Sequence, residues 1–540
     1  MTTPGSGKLP SRRVAGPRSR AFTVVSAAIV AASVFAAATL RPAGAAAARD
    51  SVTILGASAA SLDPAIQSDA GSAQVVSQLF ESLTAVDSQE HVQPALAAGW
   101  GTSNGGKTLT FQLRPGLEFS DGSPLTASDV VESWLRVLDP AHPSQLASLL
   151  DDVAGAKAYR QGQGPASAVG LSAPSDTQVV VSMAQPDSDF PAIASGPTLA
   201  VVPPNIDSNP GLLRPGTFVG SGAYVLTGLT DTETTMAANP HYWAGAPAIS
   251  TIHLLSQVPN GQSPVDAFQA GSLDYTPISA GDATWIAYDK TLGPSLRIEP
   301  SPSVEFYGFN TTKPPFNDVN VRKAFAQGID WKSIVVELGN PLLVPATGMV
   351  PAGVPGHSTT DYGPQFDLAA AKTDLAAAGY ANGAGFPKIT LVTPGSQLDA
   401  AIVRQLHDNL GIDVGYEALD WSLYNAQLLS DPPAMWEMDW VADYPGAYDF
   451  LGILLGSGQT NNFGRWSDSN FDSTLVQALG AADATTQQQA FDKAQAIVQD
   501  QAPVIPVDYG AGYALAASGL LGALPNSQGL VRYAGLAWAS

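Results

Sequence analysis

Four carboxylates and five aromatic rings crowd into one sixteen-residue stretch, Met435–Phe450 (MWEMDWVADYPGAYDF). The acids are Glu437, Asp439, Asp443 and Asp449, and the rings are Trp436, Trp440, Tyr444, Tyr448 and Phe450. No Lys or Arg occurs between Arg404 and Arg465 to neutralise them. An ionised carboxylate among rings needs a cation or several hydrogen bonds, because burial alone is costly. One chemistry that fits is capture of a cationic group, with rings that stack on the ligand or favour a positive charge. A second is hydrolysis of a glycoside by paired acids such as Asp439 and Asp443. Nothing in the stretch separates a proton donor from a base, so that reading is remote. The plain alternative is a solvated acidic loop over packed aromatics.

Other chemistries are excluded by type or spacing. There is no Cys, hence no disulfide, thiolate metal site or Cys nucleophile. The six His stand at 91, 142, 241, 253, 357 and 407, without H-E-x-x-H spacing, and no G-x-S-x-G elbow occurs. No metal site, no cofactor and no enzymatic activity are expected. Gly101–Thr108 (GTSNGGKT) matches a phosphate-binding P-loop. The mechanism needs a helix directly after the motif, whereas Thr108–Leu113 alternates as a strand, so the glycines predict a hairpin turn. The formal net charge of −22 argues against nucleic acid.

The elements around the acidic stretch must position it. Trp440-Val441-Ala442 alternates as a short strand, and Asp443-Tyr444-Pro445-Gly446 ends it with turn chemistry, which aims Asp443 off a strand end. A chain of 540 residues is too long for one core, so two or three lobes are expected. Strands are predicted over 51–55, 107–113, 389–392, 412–416 and 503–509. Helices are predicted over 73–83, from Thr126 to about Leu138, and over 319–327, 368–378, 400–410 and 485–500. Thr126 is the N-cap of the second, with Asp129 at the capping-box position. Asn317 or Asp318 caps the third, whose Arg322 and Lys323 are expected to be exposed or to brace a lobe. The alternation of strand and helix suggests α/β layering with some parallel pairing.

The N-terminus reads as an export signal. Lys8, Arg12, Arg13, Arg18 and Arg20 precede the apolar run Ala21–Leu40, and Gly44–Ala48 offers an A-x-A-type cleavage site. Arg12-Arg13 fits a twin-arginine signal only loosely. A cleaved signal peptide over 1–48 is favoured, with an uncleaved membrane anchor as the alternative. Residues 1–48 carry six Lys and Arg and no acid, so a chain without them holds 19 basic and 47 acidic residues, a formal −28.

A series of motifs in fixed order resembles the extracellular solute-binding proteins, family 5, which deliver oligopeptides or dipeptides to ABC importers. The series runs LDPA (62–65), LFESL (79–83), PALAAGW (94–100), LTFQLRPGLEFSDGSPLTASDVVESW (109–134), GSGAYVL (220–226), NPHYWAGAPAI (239–249), FQAGSLDY (268–275), FNTTKPPFNDVNVRKAFAQGID (309–330), WVADYPGAYDFL (440–451) and APVIPVDYG (502–510). The resemblance implies an α/β, two-lobed periplasmic-binding-protein-like fold of type II with an extra subdomain in the first lobe and a hinged cleft. It implies lobe I over 49–79 and 191–303, the extra subdomain over 80–190, lobe II over 304–504, and a return to lobe I over 505–540. Closure needs only a few hinge residues, expected within Val304–Phe309 and Val504–Tyr509.

By the same resemblance the protein is exported and extracytoplasmic, a monomer that takes a peptide or small-molecule ligand and hands it to ABC permease subunits. A non-peptide or cationic small solute, or a sensor role without an importer, are the alternatives. Asp443 pairs with the ligand's N-terminal ammonium, Trp440 and Tyr444 line the cleft, and Ser68, Asp69, Ala70 and Gly71 touch the ligand backbone. Val441, Asn310 and Tyr509 complete the expected contacts. Two positions depart from the pattern. The basic residue implied six positions before the Asp, for the ligand's C-terminal carboxylate, is Glu437 here, and an aromatic implied near 146 is Leu146. Either His407 or Arg465 takes over that carboxylate, or the ligand is not a zwitterionic peptide. Glu437 can equally be a surface position that points away from the cleft.

Overall fold

The computed structural model describes residues 49–67, 69–337, 343–481, 483–526 and 529–539, with the backbone alone at Ser422. The export signal, or anchor, at 1–48 and the expected contact Ser68 lie outside these residues. Among the described residues no helix is long and apolar enough to cross a membrane.

An eleven-stranded mixed sheet runs through the molecule. At one end Val414–Ala418, Ile389–Thr393 and Met435–Val441 lie side by side in parallel. The sheet continues through two long strands, Leu296–Phe309 outgoing and Val504–Ala516 returning, which are antiparallel to each other. Tyr275–Pro277, Ser51–Leu55, Thr251–Leu255, Glu233–Ala238 and Tyr224–Leu229 follow in that order, and Val344–Pro345 adds to the returning strand. Parallel pairing also joins Ser51–Leu55 to Thr251–Leu255.

The two long strands carry the chain across the middle of the molecule. Their ladder runs from Leu296 to Pro300, breaks, and resumes at Val304 opposite Tyr509. Pro300 and Pro302 cannot donate to a ladder, which accounts for the interruption. Gly510 sits against the break. A Cβ there would stand 2.2 Å from Ser303 Oγ, so any larger residue must displace that hydroxyl. The interruption thus falls just before the segments expected to bend. Val304–Phe309 and Val504–Tyr509 themselves are paired and almost wholly buried.

Separate cores lie on either side of this break. Val52, Ile54, Val76, Phe80, Tyr224, Ile252 and Ala516 share one. Val304, Phe306, Trp436, Met438, Phe450 and Phe471 share another, on one face of the sheet. Tyr307, Phe309, Phe325, Leu391, Met435 and Ile505 fill a third, on the opposite face. A four-stranded antiparallel sheet, in the order 97–103, 108–113, 178–182 and 171–175, has its own core around Phe111, Trp134 and Phe190. Trp134 meets both phenylalanines edge-on at 5.7–6.5 Å between ring centres. Full burial of each such ring contributes roughly 1.5–3 kcal/mol.

Local chemistry matches most of the predicted elements. Thr126 N–H and Oγ1 both donate to Asp129 Oδ2, at 2.7 and 2.9 Å, at the start of helix Ala127–Val137. Asp318 caps Val319–Gly328 by accepting from Asn320 N–H at 2.8 Å. Gly101–Thr108 forms the hairpin between antiparallel strands, with left-handed Asn104, Gly105 and Gly106 at its tip. Of the two expectations for Arg322, the structure shows bracing and not exposure. It is 4% exposed and donates to the Phe316 and Gln501 carbonyls at 2.7 and 3.0 Å, tying the helix to the turn before it and to a distant segment. Lys323 pairs with Asp500 at 2.8 Å.

Candidate functional site

Alternation along Met435–Val441 sorts its side chains by face. Trp436 and Met438 enter one core, while Glu437, Asp439 and Val441 face the other way. On that second face Val441, Asp439 and Glu437 stand opposite Ser303, Glu305 and Tyr307 of the outgoing strand, and Glu305 stands opposite Asp508 of the returning strand. Three neighbouring strands therefore lay Asp439, Glu305 and Asp508 in one row, with Glu437 two residues along. Two cavities open beside this strand and its continuation.

Beyond the strand's end, a cavity of about 740 Å³ is lined by Ala442, Asp443 and Tyr444. That space opens to solvent, and its other walls come from distant chain segments: Gln67, Asp69 and Ala73; Leu146 and Leu149; Ile193 and Thr198; and Leu530. Asp69 is fixed as the N-cap of helix Ala70–Leu79, accepting from Ser72 N–H at 2.8 Å and Ser72 Oγ at 2.6 Å. Gln67 donates to Thr198 Oγ1 at 2.7 Å. Tyr444 is buried and packs into the core of the four-stranded sheet, so the loop after Val441 is keyed to the opposite wall.

Beneath Asp443 lies Asp449, which is fully buried. Its Oδ2 accepts from Trp440 Nε1 at 2.8 Å and from Asp443 N–H at 3.3 Å, while Oδ1 has no partner. Burial, and then the Asp443 charge, hold Asp449 well above the carboxylate range. Burial raises Asp443 as well. Both acids of the pair are therefore held above the ordinary carboxylate range, Asp449 the more strongly because it has no solvent while Asp443 keeps contact with the cavity.

Further along the same strand, about 900 Å³ of open space is lined by Glu305, Glu437 and Asp508, with Ala280, Leu343 and the turn Pro394–Leu398. Gly395 adopts φ +110, which residues with a Cβ rarely reach, and this turn brings Ser396 Oγ to Glu305 Oε1 at 2.7 Å. Burial and then mutual repulsion push these acids up. Glu437 rises to about 9, through burial and then chiefly the Glu305 charge; Glu305 rises to about 8, through burial and then chiefly Asp508. Asp508 rises to about 7, through burial and Asp439. Among the described residues no three His, Asp or Glu side chains are placed to hold a metal ion. A third, smaller cavity between Ala326, Tyr362, Gln495 and Ile505 has no charged wall.

Several expected contacts lie elsewhere. Trp440 leaves the cavity wall for the core side, held by Asp449. Tyr509 is buried among core residues, with its hydroxyl donating to the Gly348 and Val350 carbonyls at 3.0 and 3.1 Å. Asn310 is 1% exposed and serves the backbone, donating to the Pro432 carbonyl at 3.0 Å. Ala70 is exposed beside the cavity wall. Gly71 is buried where a Cβ would meet Ser58 O at 2.3 Å. Val441 is 51% exposed on the cavity-facing side of its strand. Glu437 is 4% exposed and lines a cavity, so it is not a surface residue. Neither basic candidate for a ligand carboxylate reaches a cavity. His407 pairs with Asp413 at 2.8 Å, and Arg465 donates to the Ser430 carbonyl at 3.0 Å. Gln67, Thr198, Glu305, Ser396 and Asp508 are the wall residues that sequence reasoning missed.

The model of the bacterial extracellular solute-binding proteins, family 5, matches residues 91–462. The chain belongs to this family. Its relatives include the probable deoxycholate-binding periplasmic protein YgiS of Escherichia coli (strain K12), 32% identical over 83% of this chain and 85% of that one. The oligopeptide-binding protein OppA of Bacillus subtilis (strain 168) is 28% identical over 83% and 85% of the two chains. Among solved structures, the unliganded open form of the periplasmic murein tripeptide-binding protein MppA superposes with a TM-score of 0.80 at 26% identity, covering 91% of this chain and 97% of that one. Family 5 proteins are two-lobed α/β binding proteins, which is the architecture seen here. The family consists of substrate-binding proteins, not enzymes.

Proposed function

We propose that this family 5 protein is an exported, monomeric receptor that captures peptides between its lobes and passes them to the permease subunits of an ABC importer. Lobe I comprises 49–79 and 191–303 with the return 505–540, the extra subdomain 80–190, and lobe II 304–504. The hinge is the interrupted ladder at Ser301–Ser303 against Gly510. Asp443 pairs with the ligand's N-terminal ammonium, and the extended peptide bonds its main chain to the surrounding walls, so binding tolerates many sequences.

The observation that carries this reading is the position of Asp443. It sits on the wall of a cavity whose other walls come from Gln67, Asp69 and Ala73 and from residues 146–149 and 193–198. A peptide is favoured over a deoxycholate-like anion because the charged residues lining both cavities are all acidic. The test couples composition to shape. Native mass spectrometry of the purified protein identifies retained cargo, and small-angle scattering follows the radius of gyration as that cargo is removed and restored. Peptide cargo and compaction on rebinding are expected; an anionic lipid cargo, or no compaction, would overturn the reading.

A further inference from the structure

Among the described residues, Glu305, Glu437 and Asp508 are the only charged residues lining their cavity. Strand pairing sets their side chains on one face of the sheet, and no described Lys, Arg or His joins them. Ser396 serves Glu305, but Glu437 Oε2 has no hydrogen-bond partner although the residue is only 4% exposed. A buried carboxylate oxygen left without a donor is destabilising by itself and calls for an occupant that supplies one.

The occupant's chemistry follows from the walls. An anion finds no Lys, Arg or His on these walls, and each of the three acids that ionises repels it, whereas a cation favours their charged forms. A metal ion lacks the clustered ligands it needs. An organic ammonium or guanidinium carries several N–H donors, spreads them over a few ångströms, and forms short charge-assisted bonds with carboxylates. Leu343 and the turn Pro394–Leu398 add to the wall, and Ala280 closes it from a helix that packs, through Ile286, on Leu515 of the returning strand, beyond the ladder break. The cavity therefore lies between the two halves joined by the crossing strands.

We propose that this cavity is a second subsite that receives a cationic group of the ligand, an ammonium or guanidinium, through Glu437, Glu305 and Asp508. The inference rests on the solute-binding reading and narrows it to ligands with two positive ends. At about 3.3 Å per strand residue, Glu437 lies about 13 Å from Val441, and Asp443 lies beyond it. A peptide anchored at Asp443 reaches the subsite with a Lys or Arg at about its fourth or fifth residue.

The test is calorimetry on the full protein, stripped of cargo, with penta-alanine, pentapeptides carrying Lys or Arg at position 3, 4 or 5, and spermidine. The variants are Glu437→Gln and Glu305→Gln, which keep the side-chain volume. At least tenfold tighter binding of one basic pentapeptide than of penta-alanine is expected, with the ratio collapsing in both variants while penta-alanine binding holds. Equal binding of neutral and basic pentapeptides would overturn the subsite and leave the peptide reading standing. Spermidine binding that both variants abolish, without any peptide binding, would uphold the subsite and reject the peptide reading. No binding by any probe would reject both.

Discussion

Trp440 Nε1 donates to Asp449 Oδ2 at 2.8 Å, and this bond turns the tryptophan away from the cavity that its neighbour Asp443 lines. The same oxygen accepts the Asp443 N–H, so one buried acid fixes both the strand end and the loop that follows. Asp449→Ala removes an acceptor shared by two donors and leaves both without a partner. A loss of about 1–3 kcal/mol is expected in urea unfolding. Asp449→Asn keeps an acceptor and holds no proton to lose, so near-native stability is expected. An Asn variant as unstable as the Ala variant would show that the charge, not the hydrogen bonds, is what matters.

The acidic row makes the empty protein pH-sensitive. Glu437 faces Glu305, Asp439 and Asp508 on the strands and Asp399 on the covering helix, and Ser396 Oγ donates to Glu305 Oε1. Folding raises Glu437 to about 9, Glu305 to about 8 and Asp508 to about 7. The folded state therefore holds more protons than the unfolded chain above the ordinary carboxylate range. Their contribution to stability is fully present below about pH 4, where both states are protonated, and is lost progressively as pH rises from there through 7 to 9. Thermal melts should shift down across that window by an amount on the order of a few kcal/mol in stability. Glu437→Gln should flatten the profile and be the more stable protein at pH 9. A wild-type profile that is level from pH 5 to 9 would contradict this.

Closure should depend on the glycine at the ladder break. A Cβ on Gly510 would meet Ser303 Oγ at 2.2 Å. Gly510→Ala should cost about 1–3 kcal/mol by overpacking and weaken ligand-induced compaction in small-angle scattering. Gly510→Ala with Ser303→Gly removes the contact and should restore compaction. Failure of the double variant to recover would place the bend elsewhere.

Much of this architecture was legible locally. Alternation and caps set the helix that starts after Thr126, the helix that starts after Asp318, and the hairpin that mimics a P-loop. The missing helix after its glycines was the deciding signal there. Whether Arg322 is exposed or braces was not legible because its partners, the carbonyls of Phe316 and Gln501, are backbone groups, one of them nearly 180 residues away. Tyr509 and Asn310 have residue types that suit a ligand as well as a core, and only the fold shows their hydroxyl and amide committed to backbone. Glu305 and Asp508 lie about 200 residues apart and meet through strand pairing. The local signal that can find them is a lone acid inside an apolar strand, Val304-Glu305-Phe306 and Val507-Asp508-Tyr509. Glu437 was noticed because it breaks a family pattern, but its burial was not legible.

The Asp443 anchor is the central claim, and calorimetry with one peptide in free-amine and N-acetylated forms tests it most directly. The wild type should bind the free amine more tightly by about 2–5 kcal/mol, the range for removing one partner of a buried charge pair. Asp443→Ala should erase that difference by weakening the free-amine form alone. Equal binding of both forms by the wild type would contradict the account.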